Sequence, residues 1–137
     1  MTTSSASVTL TRYRWFFLLA AVYDMALGLV FIVAYKPMLE WLGMTLPPHV
    51  SYIHLLAIFV FVQGVSYLIA WRDPLANTGI VMVGVLYKAA YASLAAYYLV
   101  TDQIPAMFFA WFGLFDLLFL VGFVMFLRWA GRGAPAT

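Results

Sequence analysis

Four strongly polar side chains interrupt the apolar stretches of this chain, and together they could do chemistry. Asp24, Gln63, Lys88 and Asp116 each fall within about two residues of the middle of a separate apolar run, a depth near the bilayer centre if each run crosses a membrane. An ammonium and two carboxylates at one depth could form ion pairs, exchange a proton or hold a small solute. We therefore treat these four residues as a candidate polar layer.

The apolar runs that carry these residues have the length of membrane spans. Of the 137 residues, 66% are hydrophobic and 9% are charged, whereas soluble domains average about 45–50% and about 25%. Runs over residues 14–35, 51–71, 78–100 and 104–128 each reach roughly the 20 residues that cross a bilayer. We expect an all-α integral membrane four-helix bundle, a single transmembrane domain over residues 1–137, with the leader "MTTSSASVTLT" disordered.

The residues around the candidate polar layer indicate that it faces the inside of the bundle. A charged side chain at the centre of a span costs about 2.5–3.5 kcal/mol on insertion, and lipid does not compensate this cost. Lys88 has Gly84 and Ala92 one turn away on either side, and such small residues let neighbouring helices approach each other. Tyrosine hydroxyls could also bond to the layer, and the candidates are Tyr23, Tyr67, Tyr87 and Tyr91.

The charges of the candidate polar layer do not balance. Lys88 is one cation for Asp24 and Asp116, and a close ion pair recovers only on the order of 4 kcal/mol at an effective dielectric constant of ~20. Burial disfavours an ionised carboxyl, so we expect the second aspartate to hold a proton, share one or bind a cation. Two interpretations follow from the sequence. The layer fixes the arrangement of the helices, or it handles protons or a solute.

The distribution of basic residues predicts the orientation of the chain. The face that holds both termini and the second loop carries five arginines, against Lys36 alone on the other face, and such a bias keeps the basic face in the cytoplasm. We therefore expect both termini in the cytoplasm. The connection "KPMLEWLGMTLPP" predicts a short interfacial helix in the first outer loop. The five arginines are Arg12, Arg14, Arg72, Arg128 and Arg132.

No motif in the sequence assigns catalytic residues, a metal or a cofactor. The chain has no cysteine, which excludes disulfides and thiolate chemistry, and it lacks H-E-x-x-H, G-x-S-x-G and Gly-rich phosphate motifs. His49 and His54 lie near the outer end of the second run, away from the polar layer, and do not predict a metal site. The net charge of +2 is too small to indicate nucleic-acid binding. The sequence favours a non-enzymatic role.

Three short segments resemble a family of small membrane proteins. "GVSYLIAWRDP" closes the second span, "GVLYK" lies in the third and "GLFDLLF" in the fourth. With four spans in a chain of this length, they resemble the DoxX-like group of bacterial four-helix membrane proteins over about residues 12–129. Some members of that group are associated with membrane oxidoreductase complexes. The resemblance implies a small partner subunit, and it transfers no individual catalytic residue.

Three functions are compatible with these patterns. We expect first an accessory or oligomer-forming subunit of the bacterial inner (cytoplasmic) membrane, a multi-pass protein whose polar layer organises the bundle. Its partners would be the lipid bilayer and either another membrane protein or a second copy. The alternatives are a proton-coupled carrier of a small solute, and an enzyme that acts on a membrane-dissolved quinone or lipid, with the Asp/Lys pair as its acid and base.

Overall fold

The computed structural model describes residues 5–132, which form helices and turns and contain no β-strand. In chain order the helices are α1 (Ser5–Val33), α2 (Tyr35–Trp41), α3 (Ser51–Arg72), α4 (Thr78–Val100) and α5 (Ala106–Gly131). All except α2 are long and apolar enough to cross a membrane. The predicted all-α class and the four apolar spans are thus confirmed. The short α2 lies in the connection where the sequence predicts a short helix.

Helix α1 begins earlier than the sequence predicts. It starts at Ser5 and not near Arg14. The hydroxyls of Thr9 and Thr11 donate to the carbonyl oxygens four residues earlier, at 3.0 Å and 2.9 Å. These polar side chains therefore find hydrogen-bond acceptors on the backbone of their own helix. The prediction of disorder is therefore wrong for residues 5–11, and residues 1–4 lie outside the described part. The 29 residues of α1 extend about 43 Å, beyond a ~30 Å hydrocarbon core.

Two glycines let α1 and α3 pack backbone against backbone. Helix α1 packs chiefly against α3, and α4 packs chiefly against α5. A Cβ atom on Gly28 would lie 2.7 Å from the Ala57 carbonyl oxygen, and one on Gly64 would lie 2.7 Å from the Met25 amide nitrogen. Neither position accepts a side chain unless the helices shift apart. These two approaches fix the antiparallel register of α1 and α3 at the level of Asp24.

One turn of α5 is a π-helix. It comprises residues Phe109–Gly113, and such turns often occur at functional sites because they change which side chains face a given direction. The Tyr23 hydroxyl on α1 donates to the Trp111 carbonyl oxygen within this turn, at 2.8 Å. The Trp111 ring stacks on Phe115, with ring centroids 6.0 Å apart. This turn therefore connects α5 to α1 just before Asp116.

Aromatic side chains fill the half of the bundle nearest the chain termini, which we call the terminal half. The ring centroids of Phe17 and Phe126 are 5.0 Å apart, those of Phe17 and Phe123 are 5.4 Å apart, and those of Tyr67 and Phe123 are 4.9 Å apart. All four side chains are fully buried. We call the opposite half the far half; it carries the α1–α3 and α4–α5 connections.

Hydrogen bonds fix the connection between α3 and α4 at the terminal end. Arg14 Nε from α1 donates to the Trp71 carbonyl oxygen at 3.1 Å, where α3 ends. Asp73 Oδ1 accepts from the Ala76 amide at 3.1 Å, and Asn77 Nδ2 donates to the Asp73 carbonyl oxygen at 2.8 Å. These bonds satisfy polar groups that helix ends leave without partners. They join three of the four long helices at this end.

Candidate functional site: a buried ion triad and an adjacent cavity

Lys88, Asp24 and Asp116 form a buried ion triad inside the bundle. Lys88 Nζ lies 2.8 Å and 2.9 Å from the two carboxylate oxygens of Asp24, and 2.7 Å from Asp116 Oδ1. The residues are 1%, 1% and 5% exposed, respectively. An ammonium has three N–H donors, so the number of nearby carboxylate oxygens matches the number of donors. The triad joins α4, α1 and α5. Its three residues are members of the predicted polar layer.

The two aspartates bind Lys88 differently. Asp24 accepts with both carboxylate oxygens, whereas Asp116 accepts with Oδ1 alone. Asp116 Oδ2 makes no hydrogen bond with another residue of the described range 5–132. The Asp116 side chain is also the more exposed of the two, at 8% against 1%. Since one lysine faces two acids, Asp116 corresponds to the unbalanced acid that the charge count predicts.

Four aromatic rings surround the ammonium. The distances from Lys88 Nζ to the ring centroids are 5.4 Å for Tyr87 and Phe119, 5.7 Å for Tyr67 and 5.8 Å for Tyr23. A cation within about 6 Å of an aromatic ring is attracted by the ring's quadrupole. The sequence predicts the three tyrosines near the layer but not Phe119, which lies one turn along α5 from the triad. Phenylalanine carries no polar group that would mark it as a partner of a lysine.

The tyrosines contribute rings to the triad, while their hydroxyls bond elsewhere or remain unpaired. Tyr23 donates to the Trp111 carbonyl oxygen. The Tyr67 hydroxyl is buried and makes no hydrogen bond of standard geometry with a described residue. The rings of Tyr87 and Tyr91 stack with centroids 6.4 Å apart, and their hydroxyls bond to no residue in the range 5–132. None of the four hydroxyls is a hydrogen-bond partner of the triad.

Gln63, the fourth predicted member of the polar layer, does not bond to the triad. Its Nε2 atom is buried and has no hydrogen-bond partner among the described residues. It lies one turn from Tyr67 on α3, and an unpaired buried polar group costs about 1–3 kcal/mol. Helix α3 therefore reaches the triad through the ring of Tyr67 and not through an amide. Residue type and depth could not distinguish Gln63 from the three residues that pair.

Small residues next to Lys88 make room for its neighbours. A Cβ atom on Gly84, one turn before Lys88, would lie 2.7 Å from the Tyr67 ring. Ala92, one turn after Lys88, is also buried. Lys88 thus faces the inside of the bundle, as the small residues around it predict. The ring of Tyr67 occupies the space beside Gly84.

A cavity of about 440 Å³ lies in the far half of the bundle. Sixteen residues line it, and they come from all five helices and from the connection between α2 and α3. None of the sixteen is charged. The sequence does not predict this cavity, because its lining residues are of types that also fill packed cores. They include Leu27, Leu39, Ile53, Val60 and Phe108.

The cavity begins one helical turn from the ion triad on three helices. On each of these helices a lining residue lies three or four positions from a triad residue, which is about 5.4 Å along an α-helix. Tyr87 lines the cavity, and its ring centroid is 5.4 Å from Lys88 Nζ. The Tyr87 ring therefore lies next to the cavity and next to the Lys88 ammonium. The three pairs of lining and triad residues are Gly28 and Asp24, Tyr91 and Lys88, and Phe112 and Asp116.

Comparison with known proteins adds no further residue to this site. The chain matches no protein-family model, no curated protein and no solved structure. The resemblance to DoxX-like proteins stays a prediction from sequence.

The triad is arranged for ion pairing within the protein. Each donor of Lys88 has a carboxylate oxygen at hydrogen-bond distance, and burial keeps Asp24 and Lys88 at 1% exposure. A group that exchanges a proton with a ligand must come within about 2.6–3.2 Å of it, and aromatic rings occupy the space around the ammonium. Within residues 5–132, no three His, Asp or Glu side chains are grouped as metal ligands would be.

Proposed function

We propose that the protein is a non-enzymatic accessory or oligomer-forming subunit of the bacterial inner membrane. In this role the Asp24–Lys88–Asp116 triad holds the four spans in one arrangement. The apolar outer faces of the spans then pack against lipid and against another membrane protein or a second copy. The DoxX-like resemblance supports the bacterial location and the partner-subunit role.

The closed ion triad is the observation that carries this proposal. Its donors and all but one of its acceptor oxygens are used within the triad, which suits a contact that fixes the positions of helices. Buried polar groups specify one helix arrangement in some proteins, although they add little net stability. Here the triad links α1, in the α1–α3 pair, to the α4–α5 pair. Without it, the contact between these two pairs would depend on the Tyr23–Trp111 hydrogen bond and on apolar packing, which is less specific in a membrane.

The two alternative functions require that the triad meet a ligand. A proton-coupled carrier must expose its site to each side of the membrane in turn, and an acid–base enzyme must bring its substrate to a carboxyl or an ammonium. Aromatic side chains pack the terminal half on one side of the triad, and the Tyr87 ring lies next to both Lys88 and the cavity. These features favour the accessory role.

The proposed orientation places both termini in the cytoplasm and α2 at the opposite membrane interface. The five-to-one excess of basic residues on the terminal face supports it. The exposed Trp41 ring at the end of α2, which packs against Trp111 at 5.6 Å, suits an interfacial position. Reporter fusions at both ends test this orientation. A reporter that is active in the periplasm at either end would contradict it.

Photo-crosslinking from the outer face tests the accessory role. A photoreactive phenylalanine replaces one outward residue at a time, for example Leu19, Leu86 or Leu118, which are 60%, 66% and 58% exposed on three different helices. In native membranes we expect a discrete adduct with a second copy or with one membrane protein from at least one position. The adduct is expected to be lost in Lys88→Met and retained in Lys36→Met, an exposed lysine on α2.

Two outcomes would contradict the accessory role. One is labelling of lipid alone from outward positions on every span, since a subunit must contact its partner through one of these faces. The other is solute-dependent proton flux in liposomes that contain the purified protein, with the flux lost in Asp116→Asn. The second result would assign the protein to the carrier class.

A further inference from the structure

The cavity in the far half reaches the lipid-facing surface of α3. Two of its lining residues, Leu56 and Phe59, are 68% and 70% exposed and belong to the apolar outer face of a helix that can cross a membrane. Ala57, between them in sequence, is buried and lines the interior. A molecule dissolved in the bilayer can therefore enter from the side without passing through water.

The lining of the cavity selects for a neutral molecule. None of its sixteen lining residues carries a charge, and a charged ligand would lose its hydration without compensation. The charged groups of the ion triad, one helical turn from the cavity, are already paired with one another. The volume of about 440 Å³ lies within the range of about 300–1,000 Å³ that is usual for small-molecule sites.

The proportions of the cavity favour a compact molecule over an extended chain. On α3 the lining residues lie between Ile53 and Val60, a stretch of eight residues that spans about 10 Å of helix. A cavity of about 440 Å³ over this length has a mean cross-section of roughly 40 Å². One extended alkyl chain, with non-bonded carbons about 4 Å apart, takes on the order of 20 Å². The cavity thus has about twice the cross-section of a single chain and has room for a ring.

Two tyrosines give the cavity a polar feature. Tyr87 and Tyr91 line it, and their hydroxyls bond to no described residue, although a phenol in an apolar site usually finds a partner. A ligand with an acceptor oxygen could supply that partner. Apolar sites of this kind commonly use one or two such groups to orient a ligand.

We propose that this cavity binds a compact, neutral, ring-containing amphiphile from the bilayer, which accepts a hydrogen bond from Tyr87 or Tyr91. The inference does not depend on the accessory role, since a subunit or a free-standing protein could bind such a molecule. It depends on the access from lipid, the uncharged lining, the width and the two hydroxyls.

Binding of a neutral naphthyl ketone tests the inference. Prodan is compact, uncharged and carries one carbonyl acceptor, and its fluorescence responds to its surroundings. With the protein in lipid nanodiscs, we expect a saturable signal above that of empty nanodiscs. Leu56→Trp should narrow the entrance and weaken binding at least tenfold. The control is Leu55→Trp, since Leu55 is 59% exposed on the same helix and does not line the cavity, and its effect should stay below twofold.

A second pair of variants tests the hydrogen bond separately from the shape. Tyr87→Phe and Tyr91→Phe each keep the ring and remove one hydroxyl, and we expect binding about two- to tenfold weaker in one of them, as for the loss of one hydrogen bond. Unchanged binding in both variants would contradict the hydrogen bond. Tyr98→Phe, on the same helix and outside the cavity, should leave binding unchanged. Circular dichroism of each variant verifies that the helices are retained.

Three results would overturn the inference. The first is prodan fluorescence that rises without saturation, as in empty nanodiscs, or that responds equally to Leu56→Trp and Leu55→Trp. The second is displacement of prodan by hexadecanol as efficiently as by an unlabelled naphthyl ketone, which would assign the cavity to acyl chains. The third is binding of an anionic naphthalene sulfonate with the same affinity, which would show that charge is not excluded.

Discussion

Lys88 and Asp24 are 64 positions apart in the sequence, and the lysine Nζ lies 2.8 Å and 2.9 Å from the two carboxylate oxygens of the aspartate. Both residues are 1% exposed. Their helices, α4 and α1, otherwise pack mainly against α5 and α3. This ion pair therefore joins the α1–α3 pair of helices to the α4–α5 pair. Its strength shows most clearly when one partner is removed, because the other is then left buried and uncompensated.

Replacing Lys88 by methionine is expected to destabilise the protein strongly. The variant leaves Asp24 and Asp116 buried without their cation, and breaking a buried pair in this way costs about 3–5 kcal/mol. Lys36→Met removes the other lysine of the chain, which is exposed on α2, and should change stability by less than about 0.5 kcal/mol. Thermal unfolding in detergent compares the two. Equal melting temperatures for both variants would contradict the mutual pairing of the triad.

Replacing the aspartates one at a time is expected to give unequal effects. Asp24→Asn affects a carboxylate that accepts two hydrogen bonds from Lys88, whereas Asp116→Asn affects one that accepts a single bond. Hydrogen bonds to charged groups contribute about 1.5–3 kcal/mol each, so the first variant should melt at a lower temperature than the second. Both should be more stable than Lys88→Met, since each still leaves one carboxylate for the lysine. The reverse order of the two aspartate variants would assign the unbalanced acid to Asp24.

A methyl group at the contact between α1 and α3 is expected to separate these helices. Gly28→Ala places a Cβ atom 2.7 Å from the Ala57 carbonyl oxygen, and overpacking of this kind costs about 1–3 kcal/mol. Gly79→Ala is the matched control, because no atom lies within 4 Å of the added Cβ. Unfolding in detergent should show a loss for the first variant and none for the second. A Gly28→Ala protein as stable as the wild type would mean that the two backbones are not in contact.

Removing a hydroxyl from two tyrosines near the triad is expected to have unequal consequences. Tyr23→Phe loses the hydrogen bond to the Trp111 carbonyl oxygen and should cost about 0.5–1.5 kcal/mol. Tyr67→Phe removes a buried hydroxyl that lies near the Gln63 side chain and makes no hydrogen bond of standard geometry with a described residue, so it should cost less than Tyr23→Phe. The two variants keep their rings next to Lys88. A marked loss of stability in Tyr67→Phe would show that its hydroxyl is bonded in the membrane.

The helices and the ion triad follow from strong local signals in the sequence. Runs of apolar residues predict the spans over residues 51–71 and 78–100 almost as the structure has them, in Ser51–Arg72 and Thr78–Val100. Charged residues are so costly in lipid that Asp24, Lys88 and Asp116 could be placed together from their depth alone. Gln63 shares that depth and remains outside the hydrogen bonds of the triad, because depth does not specify which way a side chain turns.

Other features depend on packing that no local pattern encodes. The π-helical turn at Phe109–Gly113 and the ring of Phe119 beside the lysine use residue types that are equally suited to a regular, lipid-facing helix. The cavity is a space between five helices, so its existence depends on how far they diverge. The early start of α1 at Ser5 has no clear signal in the sequence, because a polar leader can be helical where its hydroxyls bond to the preceding turn.

Infrared difference spectroscopy of the purified protein between pH 6 and pH 8 tests most directly whether the triad is a closed structural contact. If aromatic packing keeps water from Asp24 and Asp116, neither carboxyl exchanges protons with the solvent in this range. We therefore expect no carboxylic-acid band that changes with pH and disappears in Asp24→Asn or Asp116→Asn. A band that titrates between these pH values and is lost in Asp116→Asn would contradict the closed triad, and would show instead that this carboxyl communicates with bulk water.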